Sequence, residues 1–560
     1  MGSVAGCLSI MFHFWTGLYA IRPLPHNLQF NVTFTMNQPQ PLPLMPPSAE
    51  ESVKRKAART AHPAYGALGI SLLLLIILLA ACSGLRPSTA EEEDPLSALG
   101  AMPHYEIEFS LSDDLIFLQG SARVRVPNTS ADPWTHLVFR LYPALPHYNG
   151  EFSIQNVTVE GRTAPFTYLE QNSAIRVDLP RALLRGQTTN VYLSWQLRIP
   201  HWGADTTGAY RLFGLSQEFL SLPLFYPSLA VYMPGPTAAS GRWWLERGTS
   251  RGDAAFNYIS QFVVTGTIPI DQIPVASGQL ITSTVIDEKH IQHRWETELS
   301  REFFVHMSNR FQSDSLDAYG TRVTSYWLPG HEEAGRAVLQ HTAAALRVYS
   351  DWFGAYPYPE LRVASAPISF RGMEYPQVFL LGVQLYDRYR DQLEIRAVHE
   401  VAHQWWYQLV HNDPVNQPWV DEGLAEYSSR IYYEAVHGPD AADILEYRRW
   451  QAVVDGLISR EEDAALAQPV TAFANGSIYE GIVYGKGALF FSAIRRTLGE
   501  RAFKQFLQNY LTDYQYKIVT PGDMLTALRG VDPEFADMLF AEWIGPLASR
   551  PPQGAARQTE

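Results

Sequence analysis

Between Pro103 and about Gln312 apolar and polar residues alternate, as in Tyr105-Glu106-Ile107-Glu108-Phe109-Ser110-Leu111, Ser121-Ala122-Arg123-Val124-Arg125-Val126 and Val191-Tyr192-Leu193-Ser194-Trp195. A period of two puts alternate side chains on one face, so these runs predict half-buried strands joined by turns. Further on the rhythm changes. From Glu394 to Val410 the apolar residues Ile395, Val398, Ala402, Trp405 and Leu409 recur at three- and four-residue steps, which predicts one helix with a buried stripe. A second helix is predicted from about Asp421 through His437, stopped by Gly438-Pro439, and helical spacing returns over Gly487 to Leu498 and Ala502 to Leu511. The stretch Arg362 to Phe370 reads as a strand, with Pro367 pushing it toward a sheet edge. Strands followed by helices predict an α+β chain: a β domain at 103–312, then a domain at 313–548 that becomes all helical, and a tail at 549–560.

The front of the chain follows neither rhythm. Residues 1–53 hold a proline-rich run from Pro39 to Pro47 and form no domain; a start of translation at Met36 or Met45 is expected, because a signal sequence stands at a true amino terminus. Lys54, Arg55, Lys56 and Arg59 precede an apolar run from about Ala67 to Ala81, so 54–82 reads as a signal sequence. It ends in Leu79-Ala80-Ala81-Cys82, which resembles the bacterial lipobox. That resemblance implies lipidation of Cys82 and a membrane-anchored lipoprotein of the bacterial cell envelope, outside the cytoplasm; an uncleaved signal anchor is the competing reading. The other cysteine is Cys7, so a chain beginning at Cys82 forms no internal disulfide. A linker at 83–102, with an acidic knot at Glu91-Glu92-Glu93-Asp94, follows. The net charge of −14 argues against electrostatic binding to nucleic acid or anionic lipid.

The chemistry concentrates at His399-Glu400-Val401-Ala402-His403 and Trp419-Val420-Asp421-Glu422-Gly423. Histidines four apart stand on one helix face, so both imidazoles can reach one metal ion. A catalytic zinc takes three protein ligands and keeps an open position, and Glu422 on the second helix is placed to be the third. One turn later Glu426 can accept a hydrogen bond from the far nitrogen of a ligating imidazole. The bland readings are a helix whose histidines share a face by accident and a solvated Glu426. His411 and His437 lack a matching partner and read as surface or satisfied core histidines.

HExxH, eighteen residues and then Glu in a W-x-[ND]-E-G context resembles the gluzincin aminopeptidases, the membrane alanyl aminopeptidase family. The resemblance implies a thermolysin-like catalytic domain behind an antiparallel β domain, and one zinc per chain. It extends to Arg371-Gly372-Met373-Glu374-Tyr375-Pro376, similar to the family's G-x-M-E-N segment with Arg371 and Tyr375 as departures. Glu374, with Gly372 and Met373, is thereby implied to hold the substrate's free amino terminus. Tyr484-Gly485-Lys486-Gly487-Ala488 is similar to the family's Y-x-K-G-A and implies Tyr484 as oxyanion donor. Tyr479 reads equally as a site-lining or a core aromatic. A Gln or Glu from the β domain completes the family's amine pocket, and Gln217 and Glu218 are the candidates here. Larger members add a β-sandwich and a helical solenoid; no C-terminal solenoid is expected in this chain.

Such a constellation predicts peptide hydrolysis without a covalent intermediate: zinc acidifies a water, Glu400 takes its proton and returns it to the leaving amine, and Tyr484 stabilises the developing oxyanion. The expected function is a zinc-dependent aminopeptidase acting on extracytoplasmic peptides. A thermolysin-like endopeptidase and a non-catalytic zinc-binding lipoprotein are the alternatives.

Overall fold

The computed structural model describes residues 100–203, 212–216, 218–235, 237, 240–248, 251–368 and 372–544. The signal and lipobox readings at 54–82, and Gln217 and Arg371, lie outside the described residues.

The alternating runs form the expected strands. His104–Leu111 buries Tyr105, Ile107, Phe109 and Leu111 and leaves Glu106 and Glu108 exposed. It belongs to an eight-stranded sheet in the order Gln279–Val285, His290–Ser300, Ser260–Pro269, His104–Leu111, Phe117–Pro127, Thr188–Arg198, Glu151–Val159 and Arg162–Thr163. The β domain is not wholly antiparallel, since His104–Leu111 pairs in parallel with Ser260–Pro269. A period of two reports which face is buried and carries no information on strand direction.

The second half opens on a five-stranded sheet, ordered Gln312–Ala318, Thr321–Trp327, Glu360–Ala366, Val378–Gly382, Gly372–Tyr375. Helix α1 (Glu332–Trp352) links the parallel strands Thr321–Trp327 and Glu360–Ala366. Strand Glu360–Ala366 is the third of five rather than an edge. Pro367 follows its last paired residue, so the missing N–H ends the strand and interrupts no ladder. The edge belongs to Gly372–Tyr375.

Away from the exposed outer strand Gln312–Ala318 both faces of this sheet are buried, and alternation sorts its side chains between two cores. Val323, Leu361, Val363, Phe379 and Leu381 pack with the helices. Ala364, Ala366, Met373, Tyr375, Val378 and Leu380 pack with the β domain. Arg301, just past His290–Ser300, joins the halves again: its buried guanidinium donates to the carbonyls of Gln408 (3.1 Å), Leu409 (3.1 Å) and Lys517 (3.0 Å).

Helix α2 (Leu393–Ala402) is shorter than its apolar stripe predicts. The chain leaves the helix after Ala402, and the carbonyl of Trp406 turns back to within 2.9 Å of His403 Nδ1. Trp405 and Leu409 stay buried, so the stripe was a core signal that did not require a continuous helix. Helix α3 (Trp419–His437) ends at Gly438, whose φ of 89° suits glycine. Helix α4 (Gly487–Leu498) coincides with the predicted segment, and Glu500–Tyr514 extends the second one at both ends.

Candidate metal centre and active site

Four elements meet at the site. Helix α2 presents His399 and His403 one turn apart, and α3 presents Glu422 in its first turn. The two Nε2 atoms lie 3.2 Å apart, and Glu422 Oε2 lies 3.3 Å from each. Tetrahedral coordination with bonds of roughly 2.0–2.2 Å separates neighbouring donors by about 3.3–3.6 Å, so this near-equilateral triangle fits zinc. The chemistry of the set agrees, since two imidazole nitrogens and a carboxylate oxygen with no hydrogen-bond donor between them call for a cation.

Each ligand is held from behind. His403 Nδ1 faces the Trp406 carbonyl at 2.9 Å, and His399 Nδ1 lies 3.0 Å from Glu426 Oε2. With a metal bound, these acceptors would favour the proton on the far nitrogen of each ring and leave Nε2 as the ligand. The other oxygen of Glu426 accepts from Arg449 Nε and Trp450 Nε1, each at 2.8 Å. Arg449 and Trp450 were missed in the sequence, because they sit on a π-helical turn (Tyr447–Gln451) that no motif marks. Glu422 is positioned by Asp421, whose Oδ1 accepts from the Glu422 N–H at 3.0 Å and from Asn412 at 3.1 Å.

The motif glycines act by close approach. A Cβ on Gly423 would lie 3.0 Å from Gly487 Cα, and one on Gly487 would lie 2.9 Å from Gly423 Cα. Backbone contact at this point brings α4 against α3, and with it the π-helical turn Glu480–Lys486 that carries Tyr484. The Tyr484 hydroxyl donates to Glu422 Oε1. Tyr479 packs edge-on to Tyr484 with ring centres 5.9 Å apart, and its hydroxyl abuts the backbone of Gly252 from the β domain.

Strand Gly372–Tyr375 supplies the remaining groups, and its pleat decides which. Gly372 and Glu374 pair with Leu381 and Phe379, so both face the helix side. A carboxylate oxygen from each of Glu374 and Glu400 lies within 4.8 Å of the other and of His403. Gly372 has room for no Cβ, which would fall on Glu400 Oε1. Met373 and Tyr375 face the other way. Tyr375 stacks on Phe304 with ring centres 3.7 Å apart, and Met373 lies in the same core. With its side chain in that core, Met373 presents its backbone on the metal side of the strand. Gln404 ties the strand to the metal helix by donating to the Tyr375 carbonyl (3.0 Å) and accepting from the Gln377 N–H (2.9 Å).

The side chain of Glu218 is partly exposed and pairs with Arg310. Two buried β-domain carboxyls, Asp253 and Glu302, are pushed up by their burial and further by the charge of Glu374. Asp253 Oδ1 accepts from the N–H groups of Ala254 and Ala255, while its Oδ2 has no partner among the described residues. No motif in the sequence marked either residue. His411 is a buried core histidine beside Phe256, and His437 pairs with Glu394.

The electrostatics follow from crowding carboxyls in a dry place. Burial, opposed by the histidines, brings Glu400 up to about 8, and its Oε2 has no partner among the described residues. Burial likewise raises Glu374, against the pull of His403. Glu422 moves the other way, to about 2, because contacts with both imidazoles outweigh its burial. His399 is pushed up to about 9 as Glu422 and Glu426 overcome its desolvation. The site's own negative charge thus favours a cation at the triangle and a proton-holding carboxyl beside it.

Residues 337–543 match the model of the peptidase family M1 domain. Among curated relatives, aminopeptidase M1-B of Oryza sativa subsp. japonica is 24% identical over 305 residues, covering 51% of this chain and 34% of its own length. Endoplasmic reticulum aminopeptidase 1 of Homo sapiens is 24% identical over 278 residues, covering 47% and 29%. The chain spans about a third of the length of these relatives. In fold it is similar to the M1 zinc metallopeptidase of Deinococcus radiodurans, with a TM-score of 0.59 at 20% identity, covering 79% of this chain and 93% of that one. A mutant of the Deinococcus enzyme has been solved bound to a Tyr-Ser-Ala substrate, with a TM-score of 0.57 to this chain at 19% identity over 80% and 94% of the two chains.

Proposed function

We propose that this chain, whose residues 337–543 match the peptidase family M1 domain, is a zinc-dependent aminopeptidase removing residues from the free amino end of peptides. One observation carries the reading: Glu374 and Glu400 converge on the same side of the metal triangle, within 4.8 Å of each other and of His403. A carboxylate that binds an ammonium group beside one that moves protons confines cleavage to the first peptide bond.

His399, His403 and Glu422 hold the zinc, which when bound polarises the scissile carbonyl and acidifies water. Glu400, buried beside the triangle, is placed to accept a proton from water and return it to the leaving amine, since a bound cation would draw its carboxyl down from the raised position that burial gives it. Tyr484 turns its hydroxyl from Glu422 toward the scissile oxygen as negative charge develops there. The free edge of Gly372–Tyr375 offers backbone groups that align an extended peptide. A Deinococcus relative of similar fold bound to Tyr-Ser-Ala supports a short peptide as ligand. The endopeptidase alternative is favoured if Arg371 and Tyr375 disturb the amine site; the Tyr375 side chain points into the β-side core, and Arg371 lies outside the described residues.

The test is hydrolysis of one tripeptide in free and N-acetylated forms by the zinc-loaded protein. Stepwise loss of residues from the free form alone is expected; internal cleavage of both forms would replace the proposal with the endopeptidase reading.

The same reading places the enzyme outside the cytoplasm, tethered through Cys82, and rests on the charged, apolar and Leu79-Ala80-Ala81-Cys82 segments. No helix among the described residues is long and apolar enough to cross a membrane. Mass spectrometry of membrane fractions should find an acylated amino-terminal Cys82, and an intact peptide across Ala81 and Cys82 in the mature protein would exclude it.

A further inference from the structure

His399 Nδ1 and Glu426 Oε2 stand 3.0 Å apart, and neither atom has another hydrogen-bond partner among the described residues. The orientation of this metal ligand is therefore left to one carboxylate, whose side chain is 1% exposed. A carboxylate so far from water keeps its charge only where another group compensates it. The compensation comes from outside the two metal helices. Arg449 Nε and Nη2 lie 2.8 Å and 2.7 Å from Glu426 Oε1, and Trp450 Nε1 donates to the same oxygen at 2.8 Å. The two oxygens of Glu426 are thus divided, Oε1 to Arg449 and Trp450, Oε2 to His399.

We propose that Arg449 is a positioning residue of the metal centre: by fixing Glu426 against His399 it sets how tightly the chain keeps its zinc. A guanidinium is always cationic and engages the carboxylate through two N–H groups, so it holds direction as well as compensating charge. An imidazole that donates to a fixed carboxylate is in turn a better oriented and more basic zinc ligand.

The backbone around Arg449 serves the same end. Adjacent residues of an α-helix point about 100° apart. On the π-helical turn Tyr447–Gln451, Arg449 and Trp450 nonetheless meet on one oxygen. This turn is braced by the other one: a Cβ on Gly485 would stand 3.7 Å from Trp450 Cα. The turn Glu480–Lys486 carries Tyr484, so the segment that steadies His399 packs against the segment whose hydroxyl reaches Glu422. Arg449 itself is 28% exposed, so replacing it opens little of the core. The inference rests on the zinc triangle and goes beyond the aminopeptidase reading, since zinc retention can be measured whether or not peptides are cut.

The experiment measures zinc affinity of the full chain and its variants by competition with a chelator, with the melting temperature of each zinc-free protein as the check on folding. Arg449→Met is expected to bind zinc about 10- to 100-fold more weakly. Arg449→Lys, which keeps the charge and loses the planar fork, should recover part of that loss. Glu426→Gln should weaken zinc by a similar factor, and adding Arg449→Met to it should cost nothing more, because the arginine acts through that carboxylate alone. Wild-type zinc affinity in Arg449→Met overturns the proposal. So does a double variant whose loss is the product of the two single losses, which would mark Arg449 as a support for the fold at large. If the methionine variant does not fold, Arg449→Gln, which keeps a hydrogen-bond donor and loses the charge, takes its place with the same two outcomes.

Discussion

Replacing Glu400 by Gln should lower kcat by about 10²–10⁴-fold while leaving the zinc content at one per chain, because general acid–base catalysis of this kind contributes that much. Glu400 is not among the triangle of ligands; those are His399, His403 and Glu422, joined by edges of 3.2–3.3 Å. Its own oxygen Oε2 has no partner among the described residues, so nothing structural depends on it, and Gln keeps its size. An amide cannot accept and return the proton, and Gly372, pressed against this side chain, leaves no space for a replacement base from the strand. The check is paired measurement of kcat and metal stoichiometry. A variant with near wild-type kcat would remove Glu400 from proton transfer, and one that lost its zinc would show that the residue supports the centre instead.

The second large effect is expected at Glu374. In Glu374→Ala, kcat/KM for peptides with a free amino terminus should fall by about 30- to 1,000-fold, since leaving one buried charge of an ion pair without its partner costs roughly 2–4 kcal/mol. Hydrolysis of the N-acetylated peptide should stay the same or rise, because the buried carboxyl that opposed a neutral end is gone. Steady-state kinetics on the two peptides decides it. An equal loss on both would make Glu374 a support for the fold of the edge strand, with no part in recognising the amine.

Several of these residues are legible in the chain because their placement depends on a single helix. The four-residue step from His399 to His403, the stripe through Ile395 and Val398, the stop at Gly438 and the segment from Gly487 to Leu498 are consequences of 3.6 residues per turn. The strand alternation of His104–Leu111 is local in the same sense. Helix α2 marks the limit, since its apolar spacing continues to Leu409 although the helix stops at Ala402. Burial was read correctly there and the backbone was not.

By itself, then, the sequence determined the strands and helices whose period lies within one element, the His399/His403 pair with Glu422 as its candidate partner, and the chemistry that such a set performs. Only the tertiary structure decided the rest: the central position of Glu360–Ala366, the parallel pairing of His104–Leu111, and the assignment of Glu374 to the metal side while Met373 and Tyr375 enter the opposite core. It also decided that Arg449 and Trp450 hold Glu426, that Gln404 holds the edge strand, and that the buried Asp253 and Glu302 feel the charge of Glu374 while Glu218 pairs with Arg310. The physical reason is range. Backbone periodicity is set by neighbours three or four residues away, whereas register, strand order and the partner across a buried contact depend on which distant surfaces exclude water together.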